Sequence, residues 1–260
     1  METLLFEKDA SPGVAVLTLN RPEVLNALNT AMWRELWALL RELAYDTTLA
    51  CLVSQGAGPR AFSAGGDLKE RNGMSDADWA AQHQLIEDVL LQIRDFPRPV
   101  IAAMHGIAHG GGIELALMCD FIIGDDTCDI ALPEVKRGFL PGGGGLQNLT
   151  RAIGVRKTKQ MLFSGARVHA RQAHEWGVLN ECVAAGMHLP RALELAREIA
   201  RAAPMAIRTA KVALQQGADC DFRSGYALDL AFHNLLVRSE DRIEGIRAFN
   251  EKREPKWTQR

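Results

Sequence analysis

Cysteine is sparse and badly placed for chemistry. The five are Cys51, Cys119, Cys128, Cys182 and Cys220, and no two form a Cys-x-x-Cys pair. That spacing argues against a zinc site, and the mostly apolar contexts suit buried thiols in a reducing cytoplasm better than a disulfide frame. Charge of one sign is lacking too. A formal net charge of −2 over 260 residues gives bulk electrostatics no hold on nucleic acid or an anionic membrane. No apolar run is long enough to span a bilayer. The stretch from Met1 to Asp9 carries acid early and lacks the apolar core of a secretory signal, so a cytoplasmic location is expected. No Lys-Ser/Thr follows the glycines at 142 to 145, which removes a P-loop. Ser63 is outside any Gly-x-Ser-x-Gly elbow, which argues against a serine hydrolase. No His-x-x-x-His pair shares a helical face with a suitable carboxylate, so no metal is expected.

What is present is an ordinary globular mixture, 47% hydrophobic and 24% charged, in a chain long enough to bury a sizeable core. Leu4 to Lys8 and Val14 to Leu19 read as a hairpin around Ser11-Pro12-Gly13. Asn29 or Thr30 caps a helix to about Tyr45, with an apolar stripe of Met32, Leu36, Leu39, Leu40 and Leu43. Cys51 to Ser54 is a short buried strand, and a glycine-rich loop runs from Gln55 to Asp67. Ser75 caps a helix to about Phe96, and Pro97 and Pro99 separate it from a strand at Val100 to Met104. Further strands are expected at Phe121 to Gly124, Asp129 to Leu132 and Val178 to Val183, with short helices between Leu146 and Trp176. From Leu189 the pattern is helical throughout, so residues 1–190 form a mixed α/β core and 191–260 a helical tail.

The stretch from His105 to Leu115 concentrates the chemistry. A buried strand enters it, three glycines turn the chain, and a helix leaves it carrying Glu114. Backbone N–H groups at a helix start have no intrahelical partners and sit at the positive end of the dipole. A second glycine loop, Ala64-Gly65-Gly66-Asp67, presents N–H groups in the same way. Each loop taken singly reads more readily as a tight turn. Two such donors aimed at one oxygen would stabilise a developing oxyanion, each worth about a hundredfold in rate. Glu114 lies in an apolar run, and Glu134 follows Ala131-Leu132-Pro133. A carboxylate in such a place is costly unless paired or used, and two of them can divide acid and base work. His105 and His109 flank the turn, where a structural hydrogen-bonding role suits each better than catalysis.

Five segments, in order, resemble the enoyl-CoA hydratase/isomerase (crotonase) superfamily. They are Asn20-Arg-Pro-Glu-Val-Leu-Asn-Ala-Leu28, Ala61-Phe-Ser-Ala-Gly-Gly-Asp-Leu-Lys-Glu70, Gly110-Gly-Gly-Ile-Glu-Leu-Ala-Leu-Met-Cys-Asp120, Leu132-Pro-Glu-Val-Lys-Arg-Gly-Phe-Leu-Pro141 and the helix from Ser239 to Arg253. The resemblance implies an α/β fold: a spiral of ββα units, here residues 1–190, followed by a helical trimerisation region, residues 191–260. It implies a homotrimer or a dimer of trimers (a homohexamer). The substrate would be an acyl-CoA thioester, with coenzyme A part of the substrate and no separate cofactor, in a lyase of fatty acid metabolism. No nucleic acid or membrane partner is expected.

By position, the resemblance assigns the oxyanion donors to Gly66 and Gly111 and the two catalytic acids to Glu114 and Glu134. The first acid would activate water for attack on the β-carbon, and the second would exchange a proton with the α-carbon. Coenzyme A would run past Val24, Ala64, Asp67 and Leu68, with Lys69 near its phosphates and Phe249 and Lys252 reaching it from the C-terminal region. Glu23 stands where some members carry lysine, and His105 where asparagine is frequent. Met74 and Trp79 fall in the segment that varies the acyl pocket. The expected reaction is hydration of an enoyl-CoA. The alternatives are a double-bond isomerase and a non-catalytic member that binds acyl-CoA or RNA, because one fold hosts many reactions.

Overall fold

A computed structural model describes residues 1–260. The hairpin forms as the sequence suggests: β1 (Leu4–Lys8) pairs antiparallel with β2 (Val14–Leu19). Helix α1 (Thr30–Ala44) follows, capped by Asn29, whose Oδ1 accepts from Met32 N at 3.0 Å. Its apolar stripe is buried.

Three ββα repeats then build the spiral. The first is β3 (Cys51–Gly56), β4 (Ala61–Ser63) and α3 (Asp76–Arg94), with a one-turn helix α2 (Leu68–Arg71) inserted. The second is β5 (Val100–Met104), β6 (Ile107–His109) and α4 (Gly111–Met118); the third is β7 (Phe121–Asp125), β8 (Asp129–Ala131) and α5 (Gly145–Ser164). In each repeat the first strand joins a large sheet and the second a small one. With β9 (Val168–His169), α6 (Ala170–Trp176) and β10 (Glu181–Val183) added, the large sheet runs β1-β2-β3-β5-β7-β10 and the small one β4-β6-β8-β9. The strands from β2 to β10 in the large sheet are parallel, as crossover helices require.

The small sheet departs from the sequence reading. Residues 61–63 and 107–109 lie in glycine-rich stretches read as loop and turn, yet they are strands. Three residues are too few to show alternation, and their pairing comes from neighbours about twenty to forty-five positions away. The run expected as short helices is α5, broken at Gly154 (φ +78°), and then α6. The last strand starts at Glu181, because Val178 and Leu179 turn into the core instead.

The inner strands of the large sheet, β2, β3, β5 and β7, are buried on both faces, so their sequences run largely apolar. Leu52, Ala102 and Ile122 face the main core under α1, α3 and α4. Val53, Ile101 and Ile123 face the other way, onto Ala192 and Ala196 of α7 (His188–Ala200). Residue 190 therefore lies inside a helix that packs on the sheet. Beyond it come α8 (Pro204–Gly217), α9 (Phe222–Val237) and α10 (Glu240–Glu251). Pro204 opens α8, and Ser239 caps α10 through Arg242 N. All five cysteines are free thiols. Burial pushes the Cys51 thiol up to about 12 and raises those of Cys119 and Cys128 as well. No helix is long and apolar enough to cross a membrane.

Candidate active site

Each second strand of the spiral ends at one cleft. β4 leads to Ala64-Gly65-Gly66, β6 to Gly110-Gly111, and β8 to Pro133-Glu134. The cleft holds about 330 Å³ and is lined by Gly66, Gly111, Glu114 and Glu134 together. Four residues separated in sequence by up to 68 positions thus share one space.

The first glycine loop is held from below. Asn26 is fully buried in a left-handed conformation (φ +54°). Its Nδ2 donates to the carbonyls of Ala57 and Ala61 at 2.9 and 2.8 Å, and its Oδ1 accepts from Arg21 N at 3.0 Å. Gly66 bridges to Leu28: Leu28 N donates to Gly65 O at 2.8 Å, and Asp67 N to Leu28 O at 3.0 Å. The N–H of Gly66 is left without a protein acceptor, and so is that of Gly111 in the first turn of α4. The two backbones lie side by side, since a Cβ placed on Gly111 would stand 3.6 Å from Gly66 N.

Glu114 is buried, and its Oε1 accepts from the N–H groups of Gly143 and Gly145 at 2.7 and 3.0 Å. Here the glycines at 142 to 145 find their use. A Cβ on Gly143 would stand 2.7 Å from Leu90 Cδ1 and 3.0 Å from Glu114 Oε2, so only a bare backbone can approach this closely. Burial raises the Glu114 carboxyl, opposed by those two N–H groups and by the charges of His83 and Arg71.

Glu134 opens a single 3-10 turn, Glu134–Arg137. It is 5% exposed, and its Oε2 has no hydrogen-bond partner. Its Oε1 lies 2.7 Å from where a Cβ would stand on Gly110, whose φ of +53° independently favours glycine. Burial lifts this carboxyl to about 7, and the nearby Glu114 charge pushes the same way. One glutamate is thus tied down by two donors, while the other keeps an oxygen free and titrates near neutrality. Environments that differ in this way separate acid from base roles.

Ala64, Leu68 and Trp79 line the cleft as well. Val24, Asp67, Lys69, Phe249, Lys252 and Met74 do not. Val24 lies on the 3-10 turn Pro22–Val24. The Asp67 carboxylate caps α2 through Lys69 N and Glu70 N and pairs with Arg21 at 2.9 Å. Lys69 faces solvent, and Phe249 stands 83% exposed on α10. Met74 borders a separate groove beside Thr30 and Arg34.

The histidines divide. His109 lines the cleft with its Nε2 3.3 Å from Asp129 Oδ1. His105 is buried away from it, donating from Nε2 to Gly58 O at 2.8 Å and stacking on His188 at 4.5 Å. The imidazole that sequence reasoning passed over is His83. Its Nδ1 meets Glu87 Oε1 at 2.7 Å, and its Nε2 points at the Gly142 backbone in the cleft wall. Arg71 was also missed as an individual side chain and lines the same wall. Both lie on helical segments as unremarkable polar residues, so only their spatial neighbours single them out.

A family model described as enoyl-CoA hydratase/isomerase matches residues 9–260. Among curated proteins, the mouse "enoyl-CoA hydratase domain-containing protein 2, mitochondrial" is 41% identical over 94% of this chain and 84% of its own length. The 2,3-dehydroadipyl-CoA hydratase of Escherichia coli (strain K12) is 38% identical over 93% of this chain and 94% of its own. The crystal structure of enoyl-CoA hydratase from Bacillus anthracis superposes with a TM-score of 0.96 at 35% identity, covering 99% of this chain and all of that one. Similarity along almost the whole chain, in both sequence and fold, places this protein in the enoyl-CoA hydratase/isomerase family, the crotonase superfamily.

Proposed function

We propose that the protein is an enoyl-CoA hydratase, adding water across the α,β double bond of an acyl-CoA thioester. The observation that carries this reading is the convergence of Glu114, Glu134 and the two acceptor-free N–H groups of Gly66 and Gly111 on one cleft. The thioester carbonyl accepts from both N–H groups. Attack at the β-carbon moves negative charge onto that oxygen, where fixed donors stabilise it without reorganising. Glu114, held by Gly143 and Gly145, orients water and takes its proton. Glu134 gives its own proton to the α-carbon from the oxygen that has no protein partner. The pair begins and ends with one proton, on opposite carboxyls, so the net reaction is the addition of one water. Coenzyme A arrives as part of the substrate, and Ala64 and Leu68 line its approach.

The same reading includes assembly into a trimer or dimer of trimers through the C-terminal helices. Helix α9 supports it: of its 16 residues only Gly225 is buried, while Phe222 is 85% exposed. A neighbouring subunit would cover that face. Phe249 and Lys252, outside the cleft of their own chain, would then reach coenzyme A bound next door.

Turnover of crotonyl-CoA in ¹⁸O-water tests the reaction. The expected product carries ¹⁸O on its β-carbon, and a shifted double bond without ¹⁸O would replace hydration by isomerisation. Glu114→Gln and Glu134→Gln are each expected to lower turnover at least about 10²-fold in folded protein. Gly66→Pro, which deletes one donor N–H, is expected to abolish it.

A further inference from the structure

Arg71 ends α2 and turns its side chain into the cleft. Nε donates to Gln82 Oε1 at 2.8 Å, and the guanidinium lies 4.6 Å from the Trp79 ring centre. Gln82 is itself buried and anchored, donating from Nε2 to Thr30 Oγ1 at 2.7 Å and Glu70 Oε2 at 2.9 Å. This frame fixes the plane of the guanidinium but uses one of its donors. The two terminal nitrogens donate to nothing in the protein. Nη1 and Cζ lie 3.2 Å from where a Cβ would stand on Gly66, beside the acceptor-free N–H.

The neighbouring acids are committed elsewhere. The Glu70 carboxylate accepts from Thr30 N as well as from Gln82. Glu114 is held by Gly143 and Gly145, and Arg71 has no ion pair with either. A half-buried guanidinium without a carboxylate is expensive, and burial does hold its pKa below the usual arginine value. The fixed negative charge of the cleft is Glu114, whose Oε1 is met by the N–H groups of Gly143 and Gly145. Glu134 is half protonated near neutral pH, and Arg137 adds a second cation at the rim. Arginine's planar fork fits a carboxylate through two parallel bonds, a geometry that an ammonium lacks.

We infer that Arg71 receives a carboxylate borne by the acyl chain, so that the preferred substrates are acyl-CoA thioesters ending in a carboxylate instead of a methyl group. The inference rests on the acyl-CoA reading of the cleft and narrows it to a substrate class. Arg71 is then a specificity-determining residue, held ready by Gln82 and Trp79.

Saturated thioesters that cannot be hydrated separate recognition from chemistry. Calorimetry compares glutaryl-CoA and adipoyl-CoA with pentanoyl-CoA and hexanoyl-CoA on the intact protein. The carboxylated members are expected to bind at least about tenfold tighter, in keeping with a charge-assisted bidentate contact. In Arg71→Met that ratio is expected to fall to about one. In Arg71→Lys, which keeps the charge and loses the fork, it is expected to fall between the two. Equal or tighter binding of the methyl-ended series by the unmodified protein overturns the inference and leaves the hydratase reading intact. So does a ratio that both variants preserve, or an equal loss for both series in Arg71→Met, which would mean support of the thioester itself. If neither series binds, the acyl-CoA reading fails and the inference with it.

Discussion

Glu134 is expected to set the pH dependence of the proposed reaction. In the proposed reaction, hydration needs Glu114 ionised and Glu134 protonated, and dehydration needs the reverse. Both directions therefore use the pair with one proton and must share one pH profile. With Glu134 lifted to about 7, kcat/KM in either direction is expected to fall about tenfold per pH unit above that value. Initial rates from pH 5 to 9 check this, and a flat profile to pH 9 would remove Glu134 as the proton donor. The same shift acts on stability. Between its ordinary 4.5 and about 7, the folded chain keeps a proton that the unfolded chain has lost, so this group's contribution declines as pH rises through that window. Glu134→Gln removes the penalty. At pH 8 the variant is expected to be more stable than the parent by roughly 1–3 kcal/mol, read as a shift in the urea midpoint. Equal midpoints at pH 8 and pH 5 would contradict it.

At the scale of elements, α8 is tied to the core by an ion pair. Lys211 on α8 donates to Asp120 Oδ2 at 2.8 Å and to Arg98 O at 3.1 Å, and Val100 N donates to the same Asp120 oxygen. Burial raises the Asp120 carboxyl, and the lysine opposes that rise. Lys211→Met leaves the carboxylate buried beside a single N–H, which costs about 3 kcal/mol. Chemical denaturation is expected to show that loss, with much of it recovered in Lys211→Met/Asp120→Asn; additive losses would mean the two side chains act independently. Most elements were legible one at a time. Asn29, Ser75 and Ser239 announce helix starts, and the hairpin and its turn are written in residues 4–19. Of the small sheet only β8 was legible, because strands of two or three residues carry too little pattern and exist only by pairing with one another.

At the scale of the whole molecule, α9 is the unfinished part. A helix of 16 residues that buries only a glycine gains little from packing, and isolated helices of that length are marginal in water. Sedimentation is expected to give a trimer or hexamer. Leu230→Glu, a charge on the open face of α9, is expected to shift the protein toward monomer and lower its melting temperature. A monomer at micromolar concentration in the parent would end the assembly proposal.

Sequence by itself determined the family, the order of the main strands and helices, and the candidate pair Glu114 and Glu134 with its glycine neighbours. These are local signals: a carboxylate among apolar residues, a glycine run at a helix start, a cap before a stripe. Only the tertiary structure decided that Gly143 and Gly145 hold Glu114, that Glu134 keeps an unpaired oxygen, and that His83 and Arg71 face the cleft while His105 does not. Each of these depends on contacts between segments tens of residues apart, and on burial, which sets the charge state of a carboxyl. Neither quantity is a property of any short stretch of chain.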